Sequence, residues 1–130
     1  MLTSCSGIIL AGGQNTRFAG REKAFISIGG QRIMDRLYRL FSETFKDVLI
    51  VTNQPAKYLE WGAQIVTDIF PIRSSLTGIH AGLFYTRTPH AFITACDVPF
   101  LQKEMIEIIV GNLDEKIDVV IPETSEGLEP

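Results

Sequence analysis

The chain has 130 residues, 45% apolar and 21% charged, with a net charge of −3. This describes one globular domain, or part of one, able to bury a core; the acidic balance argues against a nucleic-acid scaffold, which carries a basic surface. The two isolated cysteines, Cys5 and Cys96, exclude a disulfide framework or a metal knuckle and suit a reducing cytoplasm.

The N-terminus, MLTSCSG, lacks the basic start and long apolar stretch of a signal peptide. No apolar run approaches the roughly 20 residues that a membrane helix needs. A cytoplasmic protein that engages neither membrane nor nucleic acid, as a monomer or weak oligomer, is the expectation.

The first predicted strand is Gly7–Leu10, and it feeds a loop of about a dozen residues, AGGQNTRFAGRE, before Lys23. A helix follows over Ile33–Phe45, where Ile33, Leu37, Leu40, Phe41 and Phe45 recur at helical spacing. Strand Asp47–Thr52 comes next, then a short turn or two over Ala56–Trp61 after Pro55, then strand Gln64–Val66. Helix Thr77–Thr86 leads to strand Ala91–Ala95, and helix Lys103–Asn112 puts Met105, Ile106, Ile109 and Val110 on one face. The last predicted strand is Asp118–Ile121. The strand centres are β-branched and continuously apolar, as in strands covered on both faces. The alternation implies an α/β fold: an open, mostly parallel sheet with helices on both sides. Ligands of such sheets lie beyond the carboxyl ends of the strands. Residues Glu123–Pro130 follow a buried-looking strand and close nothing. The chain is therefore expected to be the N-terminal part of a longer one; a short tail on a complete small domain is the plainer reading.

Three constellations sit at predicted strand ends. Gly12-Gly13 lets backbone N–H groups approach phosphate oxygens, with Arg17 and Lys23 supplying positive charge. The plain alternative is a tight turn, since the motif is neither a Walker A loop nor GxGxxG. Asp97, in the run Ala95-Cys96-Asp97-Val98-Pro99, is placed to hold Mg²⁺, or else to cap the next helix. Cys96 reads as a small packing residue rather than a nucleophile. Asn53 and Asp68 follow the second and third strands, and either can read a nucleoside or simply make a turn. Arg73 with Ser74-Ser75-Leu76-Thr77-Gly78 is another small-residue loop, or a helix cap. His80 and His90 lack a metal-ligand spacing.

LAGGQNTRFAGREK resembles the signature loop of nucleotidyltransferases with a glycosyltransferase-A-like, three-layer α/β/α Rossmann-like fold. The nearest resemblance is to the MobA-like family of molybdenum cofactor guanylyltransferases. That family reads LAGG-x-x-x-R-M-G-G-x-x-K at this loop and has a strand-end C-D-x-P segment, here Cys96-Asp97-Val98-Pro99. Val51-Thr52-Asn53, Val66-Thr67-Asp68 and LTGIHAG match its further elements, and the closing GLEP resembles the point where the family continues into its acceptor-binding part. Phe18-Ala19 stands where Met-Gly is usual.

The resemblance implies that residues 1–130 form the nucleotide-binding part of a nucleotidyltransferase domain whose acceptor-binding part lies beyond them. It implies that Leu10, Ala11, Gly12 and Gly13 hold the nucleotide through their backbone. Arg17 and Lys23 neutralise phosphate charge, Asn53 and Asp68 contact the nucleoside, and Asp97 binds Mg²⁺. The implied reaction moves GMP from GTP to the phosphate of molybdopterin and releases pyrophosphate. Cytidylyl or other nucleotidyl transfer to a cofactor, sugar or isoprenoid phosphate is the neighbouring reading; a nucleotide-binding module without transferase activity is the reading from another class.

Overall fold

A computed structural model describes residues 1–11, 17–18, 21–67, 75–125 and 127–128. The chain forms two compact units, Met1–Pro99 and Phe100–Pro130.

The first unit is built on four parallel strands: β1 (Cys5–Leu10), β6 (Val48–Val51), β7 (Gln64–Val66) and β8 (His90–Ala95), in the spatial order β7-β6-β1-β8. The register sets Gly7 beside Val48 and Phe92, and Ile8 beside Leu49 and Ile93. Successive residues of a strand face opposite sides, so Gly7 and Ile8 report on the two layers. Gly7 faces helix α1 (Ile33–Thr44): a Cβ there would stand 2.6 Å from ring carbons of Phe41 and of Phe45. Glycine is required by that close approach. The rings of Phe41 and Phe45 also pack on Phe92, with centroids 6.0 and 5.9 Å away. On the other side, Ile8, Leu49, Val51 and Val66 pack with Ala81 of helix α2 (Ser75–Tyr85). The layers are thus helix, sheet and helix. This is the α/β fold expected, and the four strands and two helices match their predicted ranges to within a few residues.

Between β1 and α1 the chain carries more structure than expected. Strand β2 (Arg17–Phe18) pairs antiparallel with β3 (Arg21–Glu22), and β4 (Ser27–Ile28) with β5 (Gln31–Arg32). Gly29 and Gly30 join the second pair with φ of 62° and 83°, the left-handed conformations that a two-residue hairpin turn demands. A 3₁₀ turn, Lys23–Phe25, lies between the hairpins, and a second 3₁₀ helix, Pro55–Trp61, connects β6 to β7.

The second unit contains helix α3 (Lys103–Gly111) and a two-strand hairpin of β9 (Glu123–Thr124) and β10 (Gly127–Leu128). Two expectations are corrected here. Residues Asp118–Ile121 form no strand; Val119 and Ile121 are exposed. A β-prone run becomes a strand only where a partner edge takes its backbone hydrogen bonds, and this run pairs with none of the described strands. Met105, expected on one face of α3 together with Ile106, is exposed, whereas Ile106 is buried. Among the described residues no helix is long and apolar enough to cross a membrane.

Candidate active site

Strand order decides where a ligand crevice can form. The chain runs from β1 outward through β6 and β7, then returns to place β8 on the other flank of β1. The strand order thus reverses between β1 and β8, and their carboxyl ends are the switch point where open α/β sheets bind ligands. Sheet pairing continues one residue past each strand. The N–H of Ala11 donates to the Val51 carbonyl at 2.8 Å, and that of Cys96 donates to the Leu10 carbonyl at 3.0 Å. Ala11 and Cys96, both buried, are thereby fixed at one edge of the sheet. The Leu10 carbonyl and the Ala11 N–H are already engaged by the sheet. Gly12, Gly13 and Asp68 lie outside the described residues.

Asp97 follows Cys96 directly. The capping reading falls away, because the N-cap of α3 is Gln102. Its carboxylate faces Lys23 instead: Nζ of Lys23 lies 3.6 Å from Oδ2 of Asp97. Both side chains are about one-third exposed, at 31% and 36%. An ion pair this wet contributes about 0–1 kcal/mol to stability, so its interest is positional. The pair juxtaposes a cation and a hard oxygen donor at the switch point. No group of three or more His, Cys, Asp or Glu side chains gathers among the described residues. A lone carboxylate nevertheless suits Mg²⁺, which takes one or two carboxylates, keeps several waters and completes its shell with substrate phosphates.

Lys23 projects from a segment anchored on its other side. Glu22, the preceding residue, has a side chain only 8% exposed. Its Oε2 accepts a hydrogen bond from the Tyr58 hydroxyl at 3.0 Å, and its Oε1 accepts from Lys57 Nζ at 3.2 Å. Tyr58 is fully buried, and its ring packs with Phe25 (5.3 Å between centroids) and Trp61 (5.9 Å). Burial pushes the Tyr58 phenol well above its ordinary range, and the nearby Cys96 and Glu22 add to the shift. Trp61 in turn donates Nε1–H to Asp35 at 3.0 Å and lies under the Arg32 guanidinium. Arg32 bridges Asp35 and Glu60. Hydrogen bonding from Arg32 is the main cause of the lowered pKa of Asp35.

None of this anchoring network was expected from the sequence. A signal was present in the aromatic residues Tyr58 and Trp61, three apart in a short segment.

The remaining sequence-predicted residues fall at varying distances. Arg17 is placed by its backbone in β2, paired with Glu22. Asn53 is exposed just past β6, where Thr52 Oγ1 accepts the N–H of Gln54 at 3.1 Å. Strand β1 separates β6 from β8, so Asn53 and Asp97 end strands roughly 10 Å apart. Residues 73–74 lie outside the described residues, while Ser75 to Gly78 open α2 rather than forming a loop. His80 is exposed on α2 and stacks on Phe84, with centroids 6.3 Å apart.

Comparison with known proteins supplies a separate line. The family model of the MobA-like NTP transferase domain matches residues 7–130. The chain is 46% identical over 129 residues to the molybdenum cofactor guanylyltransferase of Desulfosudis oleivorans, a match covering 99% of the chain and 64% of that protein. It therefore spans less than two thirds of that relative's length. Among solved structures, the Aquifex aeolicus VF5 protein Aq1419 superposes with a TM-score of 0.73 at 27% identity, over 95% of this chain and 64% of that one. The molybdopterin-guanine dinucleotide biosynthesis protein A of Archaeoglobus fulgidus gives a TM-score of 0.64 at 25% identity, over 80% of this chain and 53% of that one.

Proposed function

The chain belongs to the MobA-like NTP transferase family, and on that premise we propose that it is the nucleotide-binding part of a guanylyltransferase. The proposed reaction moves GMP from GTP to the terminal phosphate of molybdopterin and releases pyrophosphate. The observation that carries this reading is the Lys23 ammonium 3.6 Å from the Asp97 carboxylate at the carboxyl ends of β1 and β8.

In this reading a phosphate oxygen of the acceptor attacks the α-phosphorus of GTP in line. The new P–O bond forms as the bond to the bridging oxygen of the β-phosphate breaks, and the bonding electrons leave with pyrophosphate. A phosphate monoester is already anionic, so the protein need not supply a strong base. Its part is positioning and charge neutralisation. Lys23 and Arg17 offset charge on the triphosphate and on the departing pyrophosphate. Leu10 to Gly13 carry the nucleotide on their backbone, and Asn53 and Asp68 contact the nucleoside. Asp97 would hold Mg²⁺, which when bound supplies neutralising charge to phosphate oxygens. Gly12-Gly13 favours the larger purine over cytosine by leaving room beside the loop.

The test is transfer to molybdopterin with GTP or CTP in the presence of Mg²⁺, read as pyrophosphate release. Preferential turnover of GTP supports guanylyl transfer, and preferential turnover of CTP replaces it with cytidylyl transfer. Nucleotide binding by calorimetry without pyrophosphate release from either would make the chain a binding module.

A further inference from the structure

We infer that the buried Glu22–Tyr58 hydrogen bond is the positioning device that aims Lys23 at Asp97. Glu22 and Lys23 are consecutive, and Glu22 has extended backbone torsions, φ −67° and ψ 130°. Consecutive side chains on extended backbone diverge to opposite sides. One of these two is anchored: the Glu22 carboxylate is almost buried and takes the Tyr58 hydroxyl at 3.0 Å. The other reaches Asp97, with 3.6 Å between Nζ and Oδ2. Fixing the first side chain fixes the backbone from which the second departs.

The anchor point is itself packed in the interior. Tyr58 is fully buried and packs against Phe25, which lies in the same 3₁₀ turn as Lys23. The turn is thus held at both ends, by a hydrogen bond at residue 22 and by ring packing at residue 25. A lysine is a flexible stem with a point charge, and its head group is directed only as well as its backbone. Lys57, half exposed, completes the charge balance of Glu22 at 3.2 Å and is the weaker contact. The two carboxylates thus differ in role. Glu22 orients the turn, and Asp97 receives the ammonium at the sheet edge. Tyr58 and Glu22 act here as positioning residues and touch no substrate.

That Lys23 also serves transfer rests on the function proposed above; the positioning itself does not, and two readouts separate them. The first is trace acetylation of the full chain with acetic anhydride, quantified per lysine by mass spectrometry. An amine loosened from Asp97 is acylated faster. Tyr58→Phe keeps the ring and removes the hydroxyl. It is expected to raise Lys23 labelling at least about threefold, with Lys103 and Lys116 unchanged as internal controls. Glu22→Ala should do the same. Glu22→Gln retains an oxygen for the Tyr58 hydroxyl and should stay within about twofold of the parent protein. Unchanged Lys23 labelling in folded Tyr58→Phe and Glu22→Ala proteins overturns the inference. So does a uniform rise at every lysine, which would report general loosening.

The second readout is nucleotidyl transfer. Tyr58→Phe is expected to lower kcat about tenfold while KM for the nucleotide moves less than about twofold, and to add nothing in a Lys23→Ala background. Additive losses in that double variant overturn positioning through Lys23. Raised labelling with unchanged kcat upholds the positioning and removes Lys23 from the proposed reaction.

Discussion

The ammonium of Lys23 and the carboxylate of Asp97 meet at 3.6 Å although Lys23 opens the 3₁₀ turn between β3 and α1 while Asp97 follows the end of β8. Each is about one-third exposed, so the pair adds little to folding. Lys23→Ala and Asp97→Asn should therefore shift the free energy of unfolding by less than about 1 kcal/mol. Each should lower transfer about 10²- to 10³-fold, the usual loss when a preorganised charge is removed from a transition state. Urea unfolding and single-substrate kinetics on the same preparations check both halves. Wild-type turnover in Asp97→Asn would sink the role given to Asp97.

Metal dependence follows from the same carboxylate. A ligand that binds only the folded state stabilises it by about 2.7 kcal/mol at one hundred times its Kd. GTP with Mg²⁺ should raise the thermal midpoint more than GTP with EDTA. In Asp97→Asn the increment due to Mg²⁺ should vanish while that due to GTP alone persists. Equal increments in both proteins would assign the metal to other groups.

Two glycines at opposite faces of the sheet, Gly7 in β1 and Gly82 in α2, should respond differently to alanine. A Cβ on Gly7 would sit 2.6 Å from the rings of Phe41 and Phe45, which are wedged against each other and Phe92. A Cβ on Gly82 would meet Ile8 at 2.9 and 3.0 Å and Val51 at 3.3 Å, through side-chain methyl groups that can shift. Gly7→Ala should cost about 3 kcal/mol and Gly82→Ala about 1 kcal/mol, the range for overpacked cores. The order of the urea midpoints is the measurement, and a more stable Gly7→Ala protein would contradict the packing described.

Acid sensitivity should trace in part to Asp35. Arg32 hydrogen bonding, followed by the Trp61 N–H, holds its carboxyl below the ordinary value of 3.8. The unfolded chain then takes up a proton before the folded one does as pH falls. The stabilisation is fully present above the unfolded pKa and is lost as pH drops through the folded one. Asp35→Asn should flatten the decline in unfolding free energy below about pH 4 relative to the parent protein. Equilibrium unfolding from about pH 3 to 6 measures this, and parallel curves would remove Asp35 from the acid limb.

The parts of the fold legible in the sequence share a physical cause. Gly7–Leu10, Asp47–Thr52, Gln64–Val66 and Ala91–Ala95 are short apolar runs, and α1 carries a helical stripe, so each announces itself through its own period. The same runs locate Asp97 and Asn53, because a polar residue that ends an apolar strand can only lie at the sheet edge. The Gly29-Gly30 hairpin had a signal too, a Gly-Gly pair in the stretch between Lys23 and α1, where no element is predicted from the sequence. Asp118–Ile121 misled for the opposite reason, since strand propensity is expressed only against a partner.

The sequence by itself determined the four strands of the parallel sheet, the α1 stripe and the residue types at those strand ends, all properties of neighbours along the chain. Only the tertiary structure decided that β8 returns to the flank of β1, that Lys23 meets Asp97 there, and that Glu22 is held by Tyr58. Those contacts join residues far apart in the chain. They are set by strand order and by the burial of Tyr58, neither of which leaves a local period to read.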